Sequence, residues 1–186
     1  MRPPTLAVPL CLLLAIGCGE HREAAGRRSR SQSAPDPNQA VAEIERLGGK
    51  VGRDSAAGSA VVAIDLEGAK VRDADLRHLK GFAKLQTLVL SGTGIGDEGL
   101  AHLRGLTGIK ALLLGSTRVS DQGLAAIEGL KYLDVLDLHD TRVDDKGLVH
   151  LRGLTQLRKV YLGDTRVTAG GIGELQKMLP KLEVSH

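Results

Sequence analysis

The sequence repeats itself every 24 residues, and this period limits the fold more than any other feature of the chain. Apolar residues recur at the fourth, sixth, eleventh, sixteenth and nineteenth positions of each unit. The five units begin at Val61, Leu85, Ile109, Leu133 and Leu157. Their sixth residues are Leu66, Leu90, Leu114, Leu138 and Leu162. We therefore predict an array of identical small supersecondary units, stacked one on the next.

The spacing of apolar residues predicts a strand and a helix in each unit. The fourth and sixth positions alternate as they do in a β-strand that turns one face inward. The sixteenth, nineteenth and, in most units, twenty-second positions form one stripe of a helix. A unit this small cannot cover its own apolar face, so neighbouring units must stack and pair their strands in parallel. The predicted class is an α/β solenoid with a curved parallel sheet inside and helices outside.

The consensus L-x-x-L-x-L-x-x-T-x-V-x-D-x-G-L-x-x-L-x-G-L resembles the leucine-rich-repeat family, in its short bacterial form with Thr and D-x-G-L signatures. The resemblance covers residues 61–180 and begins again at Leu182. That family usually carries Asn or Cys at the ninth position, and this chain has Ala69 there in the first unit and threonine in the others: Thr93, Thr117, Thr141 and Thr165. The resemblance implies that these hydroxyls bond the backbone of the adjoining turn.

The segment Gly94-Ile-Gly96-Asp-Glu-Gly99 matches the G-x-G-x-x-G pattern of dinucleotide-binding loops. In the register of the repeat, only Gly99 recurs in later units. Arginine replaces Gly94 in those units, and Ser, Asp or Thr replaces Gly96. The next strand ends at Gly115, where such a site needs an acidic residue for the ribose. The match is therefore a by-product of the repeat, and we expect no cofactor.

The amino-terminal residues are typical of an export signal. Arg2 precedes an apolar run over residues 6–16, which is too short to span a bilayer. The run ends in Leu14-Ala-Ile-Gly-Cys18, which resembles the lipobox of bacterial lipoproteins, although ordinary signal cleavage fits it too. With Cys11 removed, Cys18 has no disulfide partner, and lipidation would remove an exposed thiol. We predict a signal peptide over residues 1–17 and a lipidated Cys18, with plain secretion as the alternative.

Residues 18–38 are predicted to form the lipidation site and a disordered tether, because they are polar and lack an apolar period. Their arginines either touch anionic lipid or only keep the linker solvated. The chain has a net charge of +3, to which Arg2 adds +1 and residues 19–38 add +1, with four Arg against three acids. Residues 39–186 therefore carry only +1. With few aromatic residues for stacking, this balance argues against a nucleic-acid partner.

Three stripes of polar residues follow the repeat on its outer side. The aspartates at the thirteenth position are interpreted as helix caps, with calcium binding as the alternative: Asp73, Asp97, Asp121 and Asp145. The arginines at the tenth position, Arg118, Arg142 and Arg166, are expected to pair with neighbouring aspartates or to form an anion-binding edge. His78, His102 and His150 share the eighteenth position on a solvated face, and we expect no metal site.

The outward face of the sheet, the predicted concave face, holds the candidate binding residues. Side chains alternate along a strand, so the third, fifth and seventh positions point away from the core. An apolar strip with a polar rim is typical of a protein-binding surface, although β propensity alone also explains it. The predicted partner-binding residues are Asp65, Val89, Leu113, Val135, Asp137, His139, Lys159 and Tyr161.

Residues 39–60 are predicted to cap the first repeat. Val41–Leu47 reads as a short amphipathic helix, and Lys50–Arg53 as a strand. Residues 61–186 hold five full units and a terminal strand at Leu182. That last strand has an open edge, so we expect a monomer with an edge-to-edge dimer as the alternative.

The sequence therefore predicts a non-catalytic module that binds a protein of unknown identity on its concave face. We expect it to be exported and held in the bacterial cell envelope by a lipid anchor. One alternative is an envelope enzyme built around Asp137 and His139. Another is a substrate-receptor role like that of the repeats in ubiquitin-ligase F-box adaptors, which the export signal argues against.

Overall fold

The computed structural model describes residues 36–55 and 58–186, which fall within one compact unit, Ala34–His186. The predicted export signal, Cys18 and most of the predicted tether lie outside the described residues. The helices of this part are α1 (Pro37–Arg46), α2 (Asp97–Leu100), α3 (Asp121–Leu124) and α4 (Ala169–Met178). Its strands are β1 (Lys50–Asp54), β2 (Ala60–Asp65), β3 (Thr87–Val89), β4 (Ala111–Leu113), β5 (Val135–Asp137), β6 (Lys159–Tyr161) and β7 (Glu183–Ser185).

The described strands form one sheet in chain order, from β1 to β7. All pairs from β2 onward are parallel, while β1 pairs with β2 in the antiparallel direction. The register joins residues one repeat apart, so that Leu88 lies beside Leu112 and Leu112 beside Leu136. The 24-residue period of the sequence is therefore the distance along the chain from one strand to the next.

The core follows the apolar positions of the repeat. Leu90, Leu114 and Leu138, the sixth residues of three successive units, are fully buried. The eleventh residues from Val71 to Val167 are buried beside them. Each unit therefore completes the core of its neighbour, as expected for an α/β solenoid. The predicted fold class is confirmed.

The outer side carries shorter helices than the apolar spacing suggests. Helices α2 and α3 have four residues each, and α2 continues directly into a 3₁₀ turn, Ala101–Leu103. The first and fourth units have only 3₁₀ segments on this side, Asp73–Gly81 and Gly147–Leu151. The fifth unit is the exception, since α4 has ten residues, Ala169–Met178. The length of the outer segment therefore varies between units that share the same apolar spacing.

The first repeat is covered by α1 and β1. Asp36 caps α1 by accepting the N–H of Asn38 at 2.9 Å, and the buried side of the helix contains Ala40, Val41 and Ile44. The helix begins at Pro37, inside the segment predicted to be the tether. Within the described part of the chain, no helix is both long and apolar enough to cross a membrane.

Candidate functional site

The eight predicted partner-binding residues all lie on or beside the strands, on the side that faces away from the core. The fifth positions of the units form one continuous row, since each residue pairs with its equivalent on the next strand. The members of this row are half-buried: Asp65, Val89, Leu113, Asp137 and Tyr161. Val135 and Lys159 are paired in the parallel row of third positions.

Five of the eight predicted residues line a single depression of about 480 Å³ at the carboxyl-terminal end of the sheet. Asp65, Val89 and Lys159 lie outside this depression. Its full lining is Leu113, Val135, Asp137, His139, Tyr161, Gly163, Ser185 and His186. The floor is apolar and the rim carries a carboxylate and two imidazoles, so the depression suits an apolar side chain with a polar neighbour.

The side chain of Tyr161 is held from outside the depression by Lys159. The ammonium nitrogen of Lys159 lies 5.2 Å from the centre of the Tyr161 ring, within the range of a cation–π contact. This contact fixes the ring at one wall of the depression without filling it. A rigid aromatic wall is the kind of anchor on which binding free energy concentrates.

Asp137 and His139 form a hydrogen-bonded pair on the rim. One carboxylate oxygen of Asp137 accepts the backbone N–H of His139 at 3.0 Å and lies 2.8 Å from its ring Nδ1. The other imidazole nitrogen, Nε2, lies 3.4 Å from the hydroxyl of Ser116 on the neighbouring unit. The ring of His139 occupies the space over Gly115, where an added methyl group would overlap it.

Ser116 was missed by the sequence analysis, although the repeat carries a signal for it. The eighth residue of every unit has a positive φ, which favours Gly, Asn and Asp. These residues are Gly68, Gly92, Ser116, Asp140 and Asp164, with φ between 49° and 68°. The left-handed turn is therefore a feature of the whole array, and at Ser116 it brings the hydroxyl to the rim of the concave face.

The aspartates of the thirteenth position do not cap their own helices, so that interpretation is wrong. Asp97 accepts the backbone N–H of Ser120 at 2.8 Å, and Asp121 accepts that of Asp144 at the same distance. The residue before α2 is Gly96, which has no side chain to cap the helix. Each aspartate instead accepts a backbone N–H of the next unit, 23 residues further along the chain.

The glycine of the D-x-G-L signature makes room for this bond. A methyl group added at Gly99 would lie 2.5 Å from Oδ1 of Asp73, and the same overlap recurs in the later units. The glycine of each D-x-G-L signature therefore makes room for the aspartate of the preceding unit, not for the aspartate of its own unit. Each signature thus takes part in the contacts with both neighbouring units, which indicates a role in stacking rather than in ligand binding.

The predicted ion pairs of the outer arginines are also wrong. In the described part of the chain, Arg118, Arg142 and Arg166 make no ion pair, and Arg118 donates to the carbonyl of Gly94 at 2.7 Å. The threonine ladder is confirmed, because each hydroxyl donates to the carbonyl of the sixth residue of its own unit at 2.6 Å. No group of three potential metal ligands occurs among residues 36–55 and 58–186.

Comparison with known proteins agrees with this architecture. Residues 83–103 match a family model described as Leucine Rich repeat. The chain has the leucine-rich-repeat fold. No curated protein matches it by sequence.

Three solved structures place the fold among leucine-rich-repeat proteins of differing length. An internalin, InlF, from Listeria monocytogenes is 24% identical over 60% of this chain and 31% of its own, with a TM-score of 0.52. The ectodomain of the receptor kinase GASSHO1/SCHENGEN3 from Arabidopsis thaliana, in complex with CASPARIAN STRIP INTEGRITY FACTOR 2, is 18% identical over 72% of this chain and 16% of its own (TM-score 0.53). A chain of the Drosophila melanogaster SNF/U2A′ complex is 19% identical over 76% and 80%, with a TM-score of 0.56.

Proposed function

We propose that this leucine-rich-repeat chain is a non-catalytic module that binds a protein partner on its concave face. The observation that carries the proposal is the apolar depression between Leu113, Val135 and Tyr161. A side chain of the partner would lose its water there, while the pair Asp137–His139 would offer hydrogen bonds at the rim. Two of the similar structures are themselves complexes with a protein partner, which supports this kind of function.

The test is to locate a captured partner on the surface of the chain. A photo-crosslinking amino acid at position 113 should join the partner, whereas the same group at position 149, on the outer side, should not. Leu113→Asp and Tyr161→Asp should each weaken the purified complex at least about tenfold, as expected when a charge enters an apolar contact. Val149→Asp and Met178→Asp are the matched controls, since both side chains are exposed on the outer side. Equal affinity for all four variants would refute the concave-face assignment.

We further propose that the chain is exported and anchored to the bacterial envelope by a lipid on Cys18. Support comes from the apolar run over residues 6–16 and the lipobox-like sequence that ends at Cys18. Metabolic labelling with a radioactive fatty acid tests the anchor directly. Wild type and Cys11→Ser should carry the label, and Cys18→Ser should not. Absence of label on the wild-type chain would leave secretion as the explanation for the signal.

A second candidate function is hydrolysis of an ester. It is favoured by the contacts of His139, whose ring lies between the carboxylate of Asp137 and the hydroxyl of Ser116. Serine hydrolases use a carboxylate, an imidazole and a hydroxyl in this arrangement. The hydroxyl oxygen would attack the ester carbonyl carbon, and its proton would pass to Nε2 of His139. The C–O bond would then break, the alcohol would leave with that proton, and water would hydrolyse the acyl-serine. It ranks second, since 3.4 Å is a long hydroxyl–imidazole contact and Ser116 is exposed to solvent.

A fluorophosphonate probe separates the two candidates. A hydrolase should be labelled on Ser116, and Ser116→Ala or His139→Gln should abolish the label, whereas Ser91→Ala should keep it. Failure of the wild-type chain to react would rule out the hydrolase and leave protein binding unaffected.

A further inference from the structure

The charges of the repeat array are sorted between its two edges, although their sum is close to zero. One edge is formed where each helical segment returns to the next strand. Its exposed cations make no ion pair with any residue that the structure describes: Lys80, Lys84, Arg104, Lys110 and Arg152. We call these five residues the basic edge. They occupy equivalent or neighbouring positions of successive units, and the parallel register stacks those positions on one side of the array.

The acids near the basic edge are already partnered. Asp134 is bonded by Arg158 at 2.7 Å, and Glu128 lies 2.5 Å from Nδ1 of His150. Lys131 adds a further cation, which donates to the carbonyl of Gly153 at 3.2 Å. The edge therefore presents an excess of positive charge.

The opposite edge, at the carboxyl ends of the strands, has a different composition. Its arginines alternate with a larger number of aspartates that lie within the same turns. Among the acids there are Asp97, Asp121, Asp140, Asp144, Asp145 and Asp164. The two edges thus differ in sign, and only one of them suits an anionic surface.

Tyr132 lies in the middle of the basic edge and is the most exposed large apolar side chain of the described residues, with 64% of its surface accessible. It lines a shallow depression of about 300 Å³ together with Lys84, Lys110 and one acid, Asp54, which already has a partner. A tyrosine beside lysines is typical of the boundary between lipid headgroups and water, because the ring is amphipathic and the lysine stems are apolar.

The described chain also enters the fold at this edge. Pro37 and Asn38 line a depression with Phe82 and Lys84, in the loop that returns to the second repeat. The first described residues therefore lie on the basic side of the array. Eighteen positions along the chain separate Cys18 from Asp36, so the lipid anchor proposed above would hold the array by this side.

We propose that the basic edge docks on anionic lipid headgroups, so that the strands rise from the membrane and the concave face opens sideways. The place where the chain enters the fold supports docking only together with the membrane anchoring proposed above, whereas the charges of the edge and Tyr132 support it independently. A lipid surface is favoured over nucleic acid, since the edge has one exposed ring and no series of rings on which bases could stack.

Sedimentation with vesicles tests the charge requirement. The full chain is mixed with vesicles of phosphatidylcholine alone or with added phosphatidylglycerol, and the ratio of the two affinities is measured. Lys84→Glu with Lys110→Glu should lower this ratio at least about tenfold, since each cation near an anionic surface contributes to attraction. The control, Arg142→Glu with Arg166→Glu, makes the same change in net charge on the opposite edge and should leave the ratio nearly unchanged. An equal loss in both variants would overturn the proposal.

Fluorescence tests the orientation, because the chain contains no tryptophan. Tryptophan at position 132 (Tyr132→Trp) should shift to shorter wavelength on vesicles that contain phosphatidylglycerol. Tryptophan at position 161 (Tyr161→Trp) should not, since it lies on the concave face. Absence of a shift at 132, or binding of an RNA oligonucleotide but not of vesicles through Lys84 and Lys110, would refute membrane docking. Fatty-acid labelling of Cys18 is unaffected by these outcomes, so failure of the anchor and failure of the edge are separable.

Discussion

At the scale of single residues, the contact that most constrains the sequence joins an aspartate to the glycine of the following unit. Oδ1 of Asp97 accepts the N–H of Ser120, and a methyl group at Gly123 would overlap that oxygen. Gly123→Ala should therefore displace the carboxylate and lower the free energy of unfolding by about 1–3 kcal/mol. Gly129→Ala is the control, since nothing lies within 4 Å of its added methyl group. Equal denaturation midpoints for the two variants would show that the overlap is relieved without loss.

Two aspartates in the same register position differ in their electrostatics. Burial, with help from the carboxylate of Asp144, raises the pKa of Asp121 above its ordinary value of 3.8. At Asp145 the N–H and hydroxyl of Thr168 lower the pKa instead. A raised folded-state pKa means that ionised Asp121 reduces stability near neutral pH, and this effect disappears once the group is protonated.

The exchange Asp144→Ser copies the residue at the same position of the previous unit, Ser120, whose hydroxyl donates to Asp97 at 2.6 Å. We expect the pKa of Asp121 to fall in an NMR titration. The variant should be more stable than the wild type at neutral pH, and this gain should vanish as the pH falls through the range in which Asp121 is protonated. An unchanged pKa of Asp121 would mean that burial alone causes its rise.

At the scale of elements, the apolar spacing of the sequence predicted the strands. It predicted that helical segments lie on the outer side, but not their type or length. A strand needs two inward side chains, and the fourth and sixth positions supply them in every unit. The outer segments were harder, because the same apolar spacing is met by a four-residue helix, a 3₁₀ turn or a longer helix. The aspartate at the start of these segments suggested a cap. Its real partner lies 23 residues further on, at a distance that only the stacking reveals.

The amino-terminal helix α1 is expected to stabilise the first unit by covering its apolar residues. Ile44 of α1 is fully buried, and without α1 the apolar residues Leu76 and Leu79 of the neighbouring 3₁₀ segment would lose cover. Ile44→Ala should lower the free energy of unfolding by about 2–4 kcal/mol. Glu45→Ala, on the exposed side of the same helix, should stay within about 0.5 kcal/mol of the wild type. Hydrogen exchange in β1 and β2 should quicken before that in β4, and uniform exchange would argue against a local cap.

At the scale of the whole molecule, alternation along the strands predicted which side chains face solvent. It did not predict which of them meet. The contact between His139 and Ser116 depends on the left-handed eighth position and on a neighbour 23 residues away. The net charge of the chain was a poorer guide still, because it hides the excess of cations at the basic edge and the excess of aspartates at the opposite edge.

Removal of one complete unit tests the architecture as a whole. Deletion of residues 109–132 joins Gly108 to Leu133 and leaves every apolar position in register. In the shortened chain, Asp97 would accept the N–H of Asp144, and Gly147 would make room for it. The protein should keep its circular-dichroism spectrum and unfold cooperatively, with a loss of about 1–4 kcal/mol, in proportion to its length. Deletion of half a unit, residues 109–120, joins Gly108 to Asp121, removes a strand without its helix and should prevent cooperative folding. If the half-unit deletion folded as well as the whole one, stacking of 24-residue units could not be what stabilises this chain.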